Sequence, residues 1–151
     1  MKTDPYKLYN IGLVAGNFDL IHPGYIKMFN TMKIICKQVY VCLQDDPTIE
    51  RPHKNKPILT LDERISILSS LKQVDRIECY NTEDELYELI KNINPDVRFL
   101  GDDYKGNMGY TGWDLDIPTH FIDRSHGWST TKFKKEIFKE VWDRVKKSGE
   151  L

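Results

Sequence analysis

Short apolar runs alternate along the chain with longer stretches of helical spacing. Ile11-Gly-Leu-Val-Ala-Gly16 is an apolar run closed by glycine, the signal of a buried strand. His22-Pro23-Gly24 follows, and proline suits a first helical position. Ile26, Phe29 and Met32 then recur at helical spacing, so a helix is predicted to about Cys36. Val39–Leu43 reads as a second strand, followed by a polar loop from Asp45 to Pro57. Thr60-Leu-Asp-Glu63 and Thr82-Glu-Asp-Glu85 have the form of capping boxes, in which a threonine and a glutamate three residues on satisfy each other's N–H groups. They open helices to about Leu71 and Ile93, and Arg76–Tyr80 and Val97–Leu100 read as strands. His120-Phe-Ile122 forms a fifth strand after a Gly-rich loop. Ser129 caps a last helix, whose Phe133, Ile137, Val141 and Val145 make an apolar face with Phe138 and Trp142 alongside.

Strand–helix alternation requires βαβ crossovers. The fold class is therefore α/β: a Rossmann-like, doubly wound sheet of about five parallel strands with helices on both faces. Residues 1–151 read as a single domain, with a core over about 9–140 and a C-terminal helix over about 130–147.

Charge narrows the partners. The 151 residues carry 22 Lys and Arg against 23 Asp and Glu, a net charge of −1. A whole-surface nucleic-acid binder needs a basic excess, so no nucleic acid is expected as partner. No apolar run nears the roughly 18 residues of a membrane span, and no apolar signal core follows Met1–Pro5. No membrane partner and a cytoplasmic location are expected. Cys36, Cys42 and Cys79 show no C-x-x-C spacing, which predicts reduced, buried thiols without disulfides or a zinc cluster.

Ligands of open parallel sheets sit outside the C-terminal strand ends. Segments 16–25, 45–57, 101–106 and 123–131 all fall there. Gly16 lets a phosphate approach the backbone, and the next helix offers unpaired N–H groups at its positive end. His22 at that helix start is a titratable donor or a plain cap. Lys54 and Lys56 carry point charges on flexible stems in the polar loop, able to meet an anion or simply solvated. Asp102 and Asp103 can accept hydrogen bonds from a ligand or form an ordinary turn. Ser129, Thr130 and Thr131 open the last helix, where hydroxyls and N–H groups can hold phosphate oxygens. Asp19 reads as orienting its turn rather than binding a metal. Met108, Tyr110 and Trp113 shape an acceptor pocket or form a local apolar cluster.

The motifs carry a resemblance. G-x-F-D-x-x-H-x-G-H is matched at Gly16, Phe18, Asp19, His22 and Gly24, and departs at Tyr25. Gly101-Asp-Asp-Tyr-Lys-Gly106 is similar to G-D-D-W-x-G, and Arg124-Ser-His-Gly-Trp-Ser-Thr-Thr131 to R-T-x-G-I-S-T-T. Glu63-Arg64 resembles an E-R pair, and Lys72–Ile77 an altered R-Y-V-D-E-V. Over about residues 9–140 the chain resembles the cytidylyltransferases of the nucleotidylyltransferase superfamily, the glycerol-3-phosphate cytidylyltransferase family in particular.

The resemblance implies transfer of CMP from CTP to a small alcohol phosphate, giving a CDP-alcohol and pyrophosphate. It assigns His22, Lys54, Lys56 and Arg124 to catalysis. Gly16, Asn17, Phe18, Gly24, Tyr25, Asp102, Ser129, Thr130 and Thr131 would contact the nucleotide. It further implies Mg²⁺ carried with the triphosphate, no dedicated metal site, and a homodimer formed through the 72–77 region. Tyr25 can donate a hydrogen bond but carries no positive charge near neutral pH. His126, at a position without histidine in the glycerol-phosphate enzymes, is hypothesised to supply the missing cationic donor. His53 and His120 read as structural or surface residues. Two other readings stay open: an adenylyltransferase acting on a sugar phosphate, and a nucleotide-binding module whose catalysis Tyr25 has weakened.

Overall fold

The computed structural model of the chain describes residues 7–107 and 109–149, so the readings on Met1–Pro5 and Met108 lie outside the described residues. Five apolar segments pair as one parallel sheet: β1 (Tyr9–Gly16), β2 (Cys36–Gln44), β3 (Arg76–Tyr80), β4 (Val97–Gly101) and β5 (Thr119–Ile122). Their order is β3-β2-β1-β4-β5. The chain thus reverses its direction of winding beside β1, and the crevice between the ends of β1 and β4 is where such sheets bind ligands.

Side chains alternate across β1 and divide the core. Val14 packs with Met28, Phe29 and Met32 of α1 (Pro23–Ile35) and Leu68 of α2 (Leu61–Ser69). Leu13 faces Leu86 and Ile90 of α3 (Glu83–Ile93) on the other side. Helices therefore cover both faces, as the alternation predicts. No described helix is long and apolar enough to cross a membrane.

Several local expectations need correction. Helix α1 passes directly into β2 at Cys36, with no loop between them. The Thr60/Glu63 capping box is complete, but the Thr82/Glu85 one is half-made. Thr82 accepts from the Glu85 N–H, whereas the Glu85 carboxylate takes the N–H of Asn81 at 2.6 Å. Asn81 lies just past β3, where no ladder partner meets that donor. Cys36 and Cys42 are buried, but Cys79 is exposed because β3 is the edge of the sheet. On α4 (Thr130–Ser148) no residue is buried: Ile137 and Val141 of the apolar face are 46% and 47% exposed, and Phe138 and Trp142 beside it stack on each other at 6.0 Å.

One charged side chain sits deep beneath the strand ends. Arg64, 2% exposed, donates to four backbone carbonyls: Leu59 at 3.1 Å, Asn17 at 3.0 Å, Gln44 at 2.6 Å and Asp45 at 2.7 Å. Its Nη2 also lies 3.7 Å from the Asp45 carboxylate. Asn17 follows β1, and Gln44 and Asp45 end β2, so one planar guanidinium ties two strand ends to the start of α2. Replacing it would strand several carbonyls out of water. Arg64→Met should destabilise the fold by about 3–5 kcal/mol in urea unfolding; a loss under about 1 kcal/mol would show that these contacts are dispensable.

Candidate active site

The site is built from the turn that joins β1 to α1. Gly16-Asn17-Phe18 bends sharply, and Phe18 takes φ +45°, a left-handed conformation that is strained for a side chain of this size. Its ring is driven into the core, 5.1 Å from Tyr25 and 5.7 Å from Phe29. The turn's backbone borders the cavity described below.

His22 caps α1. Its Nδ1 accepts the Gly24 N–H at 3.1 Å, which leaves the proton of the neutral ring on Nε2. That Nε2 is buried and has no partner in the structure. The ring is held between Tyr25, 4.2 Å away and nearly parallel, and Trp128 at 5.9 Å. Burial, and then the charges of His126 and Arg124, hold the imidazole below its ordinary value. A neutral, fixed, unsatisfied donor thus stands at the helix start.

His126 repeats the same local device. Its Nδ1 accepts the N–H two residues on, from Trp128 at 2.9 Å. Both imidazoles approach Gly24 closely: a methyl added there would lie 2.8 Å from His126 Cε1, 2.9 Å from His22 Cε1 and 2.9 Å from Trp128 Cβ. Only glycine leaves room for all three. Gly101 does the same for Arg124, whose guanidinium lies across the space a Cβ would fill. Arg124 Nη1 is 3.5 Å from Asp103, and its backbone N–H donates to Asp102 at 3.3 Å.

Tyr25 reaches the other helix. Its hydroxyl lies 3.1 Å from Thr130 Oγ1 at the start of α4, and burial pushes the phenol above its usual value, so it stays neutral. Ser129 caps α4 by accepting the Lys132 N–H at 3.1 Å. Asp19, 2% exposed, accepts from the N–H groups of Ile58 and Leu59 at 2.9 Å each and pairs with Lys134 of α4 at 2.7 Å. Burial alone would raise this carboxyl; Lys134 and the two N–H groups more than offset that and hold it low. Its oxygens are committed, so Asp19 latches the loop and α4 to the turn and is not placed to hold a metal.

These groups open onto one cavity of about 620 Å³. It brings together Gly16, Asn17, Phe18, His22, Gly24, Tyr25, Lys54, Arg124, His126 and Ser129–Thr131. Two sequence candidates stand apart. Lys56 points away, 77% exposed and 3.9 Å from Asp46, and Asp102 lies outside the lining, its carboxylate turned to the Arg124 backbone. Tyr110 lines the cavity, and Trp113 does not. Sequence reading missed Arg51, Arg98 and Lys134, which also line it. With Lys54 and Arg124 they set five full cations against the carboxylates of Asp19 and Glu83. Arg98 had a signal, a charge inside the apolar run Val97–Leu100. Among the described residues no cluster of three or more His, Cys, Asp or Glu could hold a metal ion.

The lowered imidazole of His22 has a stability consequence. As pH falls, the unfolded ring binds a proton near 6.5, before the folded one does. His22 therefore contributes stability that is complete above that value and is lost as pH falls through its folded-state midpoint. A melting series from about pH 7.5 to 5 should show this loss, reduced in His22→Gln; a His22 ring titrating at or above 6.5 by NMR would contradict it.

Comparison with known proteins identifies the family. A family model described as cytidylyltransferase-like matches residues 13–136. The FAD synthase of Methanohalobium evestigatum is 36% identical over 93 residues, 62% of this chain and 60% of that protein. The bifunctional protein HldE of Nitratiruptor sp. is 34% identical over 117 residues, 77% of this chain but 25% of that protein. The matches thus span three-fifths or less of these relatives' own lengths. The crystal structure of a lipopolysaccharide core biosynthesis protein from Thermoplasma volcanium shares the fold with a TM-score of 0.59 and 25% identity, over 76% of this chain and 95% of that one. A buried donor at the first helix, a glycine-spaced pair of imidazoles and a basic cavity at the β1/β4 crevice thus sit in a chain that belongs to the cytidylyltransferase-like family of the nucleotidylyltransferase superfamily.

Proposed function

We propose that the chain transfers a nucleotidyl group from a nucleoside triphosphate to a small phosphorylated acceptor. An oxygen of the acceptor phosphate attacks the α-phosphorus; a new P–O bond forms, the bond to the β,γ unit breaks, and pyrophosphate leaves with the electron pair. The observation that carries the reading is the unpartnered Nε2–H of His22 in a cavity ringed by Lys54, Arg124 and the start of α4. Such transfer needs positioning and charge stabilisation more than covalent chemistry from the protein. In this reading His22 donates to a phosphate oxygen whose charge grows in the transition state. Lys54 and Arg124 neutralise the polyphosphate, and the N–H groups and hydroxyls of Ser129, Thr130 and Thr131 hold its oxygens. His126 supplies the second imidazole donor, and Tyr25 serves as a neutral brace between α1 and α4. The described residues offer no protein cage for Mg²⁺, which would be carried on the triphosphate itself. The resemblance extends the proposal to a homodimer.

The nucleotide we propose is CTP, with a glycerol-3-phosphate-like acceptor, on the strength of the G-D-D and R-S-H-G-W-S-T-T segments. The second reading, adenylyl transfer from ATP, is favoured by the relatives named FAD synthase, since flavin adenine dinucleotide contains an adenylyl group. Pyrophosphate release with each nucleotide against a panel of alcohol and sugar phosphates decides between them. CTP should give the highest kcat/KM; ATP at least equal to CTP would establish the second reading, and no release with any pair would leave a binding module. In the active pair, His22→Ala should cut kcat on the order of 10²–10³-fold, while the lost helix cap costs about 0.5–2 kcal/mol of stability. Unchanged turnover would reduce His22 to a cap.

A further inference from the structure

The cavity continues past the His22 end, round the edge of the sheet to the face that α3 covers. Arg98 lies there, on β4 beside Leu13 of β1, and is 4% exposed. Its Nη1 donates to the Thr111 carbonyl, and its Cζ lies 5.2 Å from the centre of the Tyr110 ring. Its Nε is buried without a partner, and no carboxylate among the described residues comes within ion-pairing distance. The neighbouring carboxylate, Glu83, is already engaged: Arg51 Nη2 pairs with it at 3.2 Å and the Thr111 hydroxyl donates to it. Glu83 thus answers Arg51 and leaves Arg98 without an ion-pair partner, and the Nε of Arg51 is also without a hydrogen-bond partner. A buried cation left uncompensated is costly. Tethering the 110–111 backbone needs no charge, because a neutral donor could do it.

We propose that Arg98 receives a second anionic group of the acceptor, a carboxylate or a further phosphate at the end remote from the reacting phosphate. The proposal rests on the transferase reading and deepens it. The acceptor is then a small phosphate ester with an acidic tail. Arg98 discriminates it from an ester with a neutral tail, and the planar fork suits a carboxylate or phosphate.

The test is calorimetry on the full chain, with a non-hydrolysable analogue of CTP and, separately, of ATP present. Three acceptors are titrated: glycerol 3-phosphate, 3-phosphoglycerate and glycerol 1,3-bisphosphate. The wild type should bind at least one of the latter two about tenfold or more tighter than glycerol 3-phosphate, and which one it prefers identifies the tail. Arg98→Met should bring the three within about twofold of one another, with nucleotide affinity unchanged. Equal wild-type binding of the three, or no binding, overturns the proposal even if the variant does not fold. A variant that melts lower yet keeps the wild-type preference overturns it too, since Arg98 would then only tether the loop. An equal loss for all three acceptors would place Arg98 on the reacting phosphate and also overturn it. Pyrophosphate release with the same acceptors separates the two claims. Arg98-dependent binding without release sinks the transferase reading and leaves the subsite. Release as good with glycerol 3-phosphate as with the others sinks the subsite and leaves the transferase.

Discussion

The guanidinium of Arg64 holds together the edge on which everything else is built. Parallel strands that end at a binding crevice leave carbonyls there without ladder partners, and a buried carbonyl must find a donor. Arg64 supplies donors to the chain after β1, the end of β2 and the start of α2 at once. That fixes the base of the Gly16–Asp19 turn. Asp19 then fixes its top, gripping residues 58 and 59 on one side and Lys134 of α4 on the other. The turn that carries His22 is clamped from both directions, which is how a residue as unfavourable as Phe18 at positive φ persists.

On that rigid base, charge and donor direction are supplied by different groups. The cations come from lysines and arginines around the rim, and the directed donor comes from an imidazole kept neutral. Burial and the neighbouring His126 and Arg124 disfavour a charge on His22, while the Gly24 N–H on Nδ1 fixes the proton on Nε2. Tyr25 fits this division. A positively charged ring stacked on His22 at 4.2 Å would press its imidazole still further from protonation; a neutral phenol instead joins α1 to the start of α4. The imidazole of His126, arriving from the β5–α4 connection, meets the same face of Gly24 as His22.

The fold was readable because its signals are local. Apolar runs, a complete capping box at Thr60 and a serine cap at Ser129 each act within a few residues, and the observed elements follow them closely. The turn and the α4 start were legible for the same reason. What escaped depended on contacts far apart in sequence. Lys134 belongs to the site through Asp19, 115 positions earlier, and α4 spacing alone gives it no distinction from Lys135. Glu83 looks like an ordinary first-turn acid, although its carboxylate meets Arg51 and Thr111. Lys56 and Asp102 show the converse, standing outside the cavity lining. Each sits in a segment that does border the cavity, but a neighbouring group, Asp46 or the Arg124 backbone, takes up the side chain.

In the proposed reaction the orphan Nε2–H of His22 is where a phosphate oxygen lands. Two-dimensional ¹H–¹⁵N NMR of the imidazoles, with CTP or ATP titrated into the full chain, tests it directly. The nucleotide that binds should shift the His22 Nε2 resonance strongly and slow its proton exchange, while Nδ1 stays bonded to Gly24. Nucleotide binding that leaves the His22 Nε2 signal unmoved would contradict it.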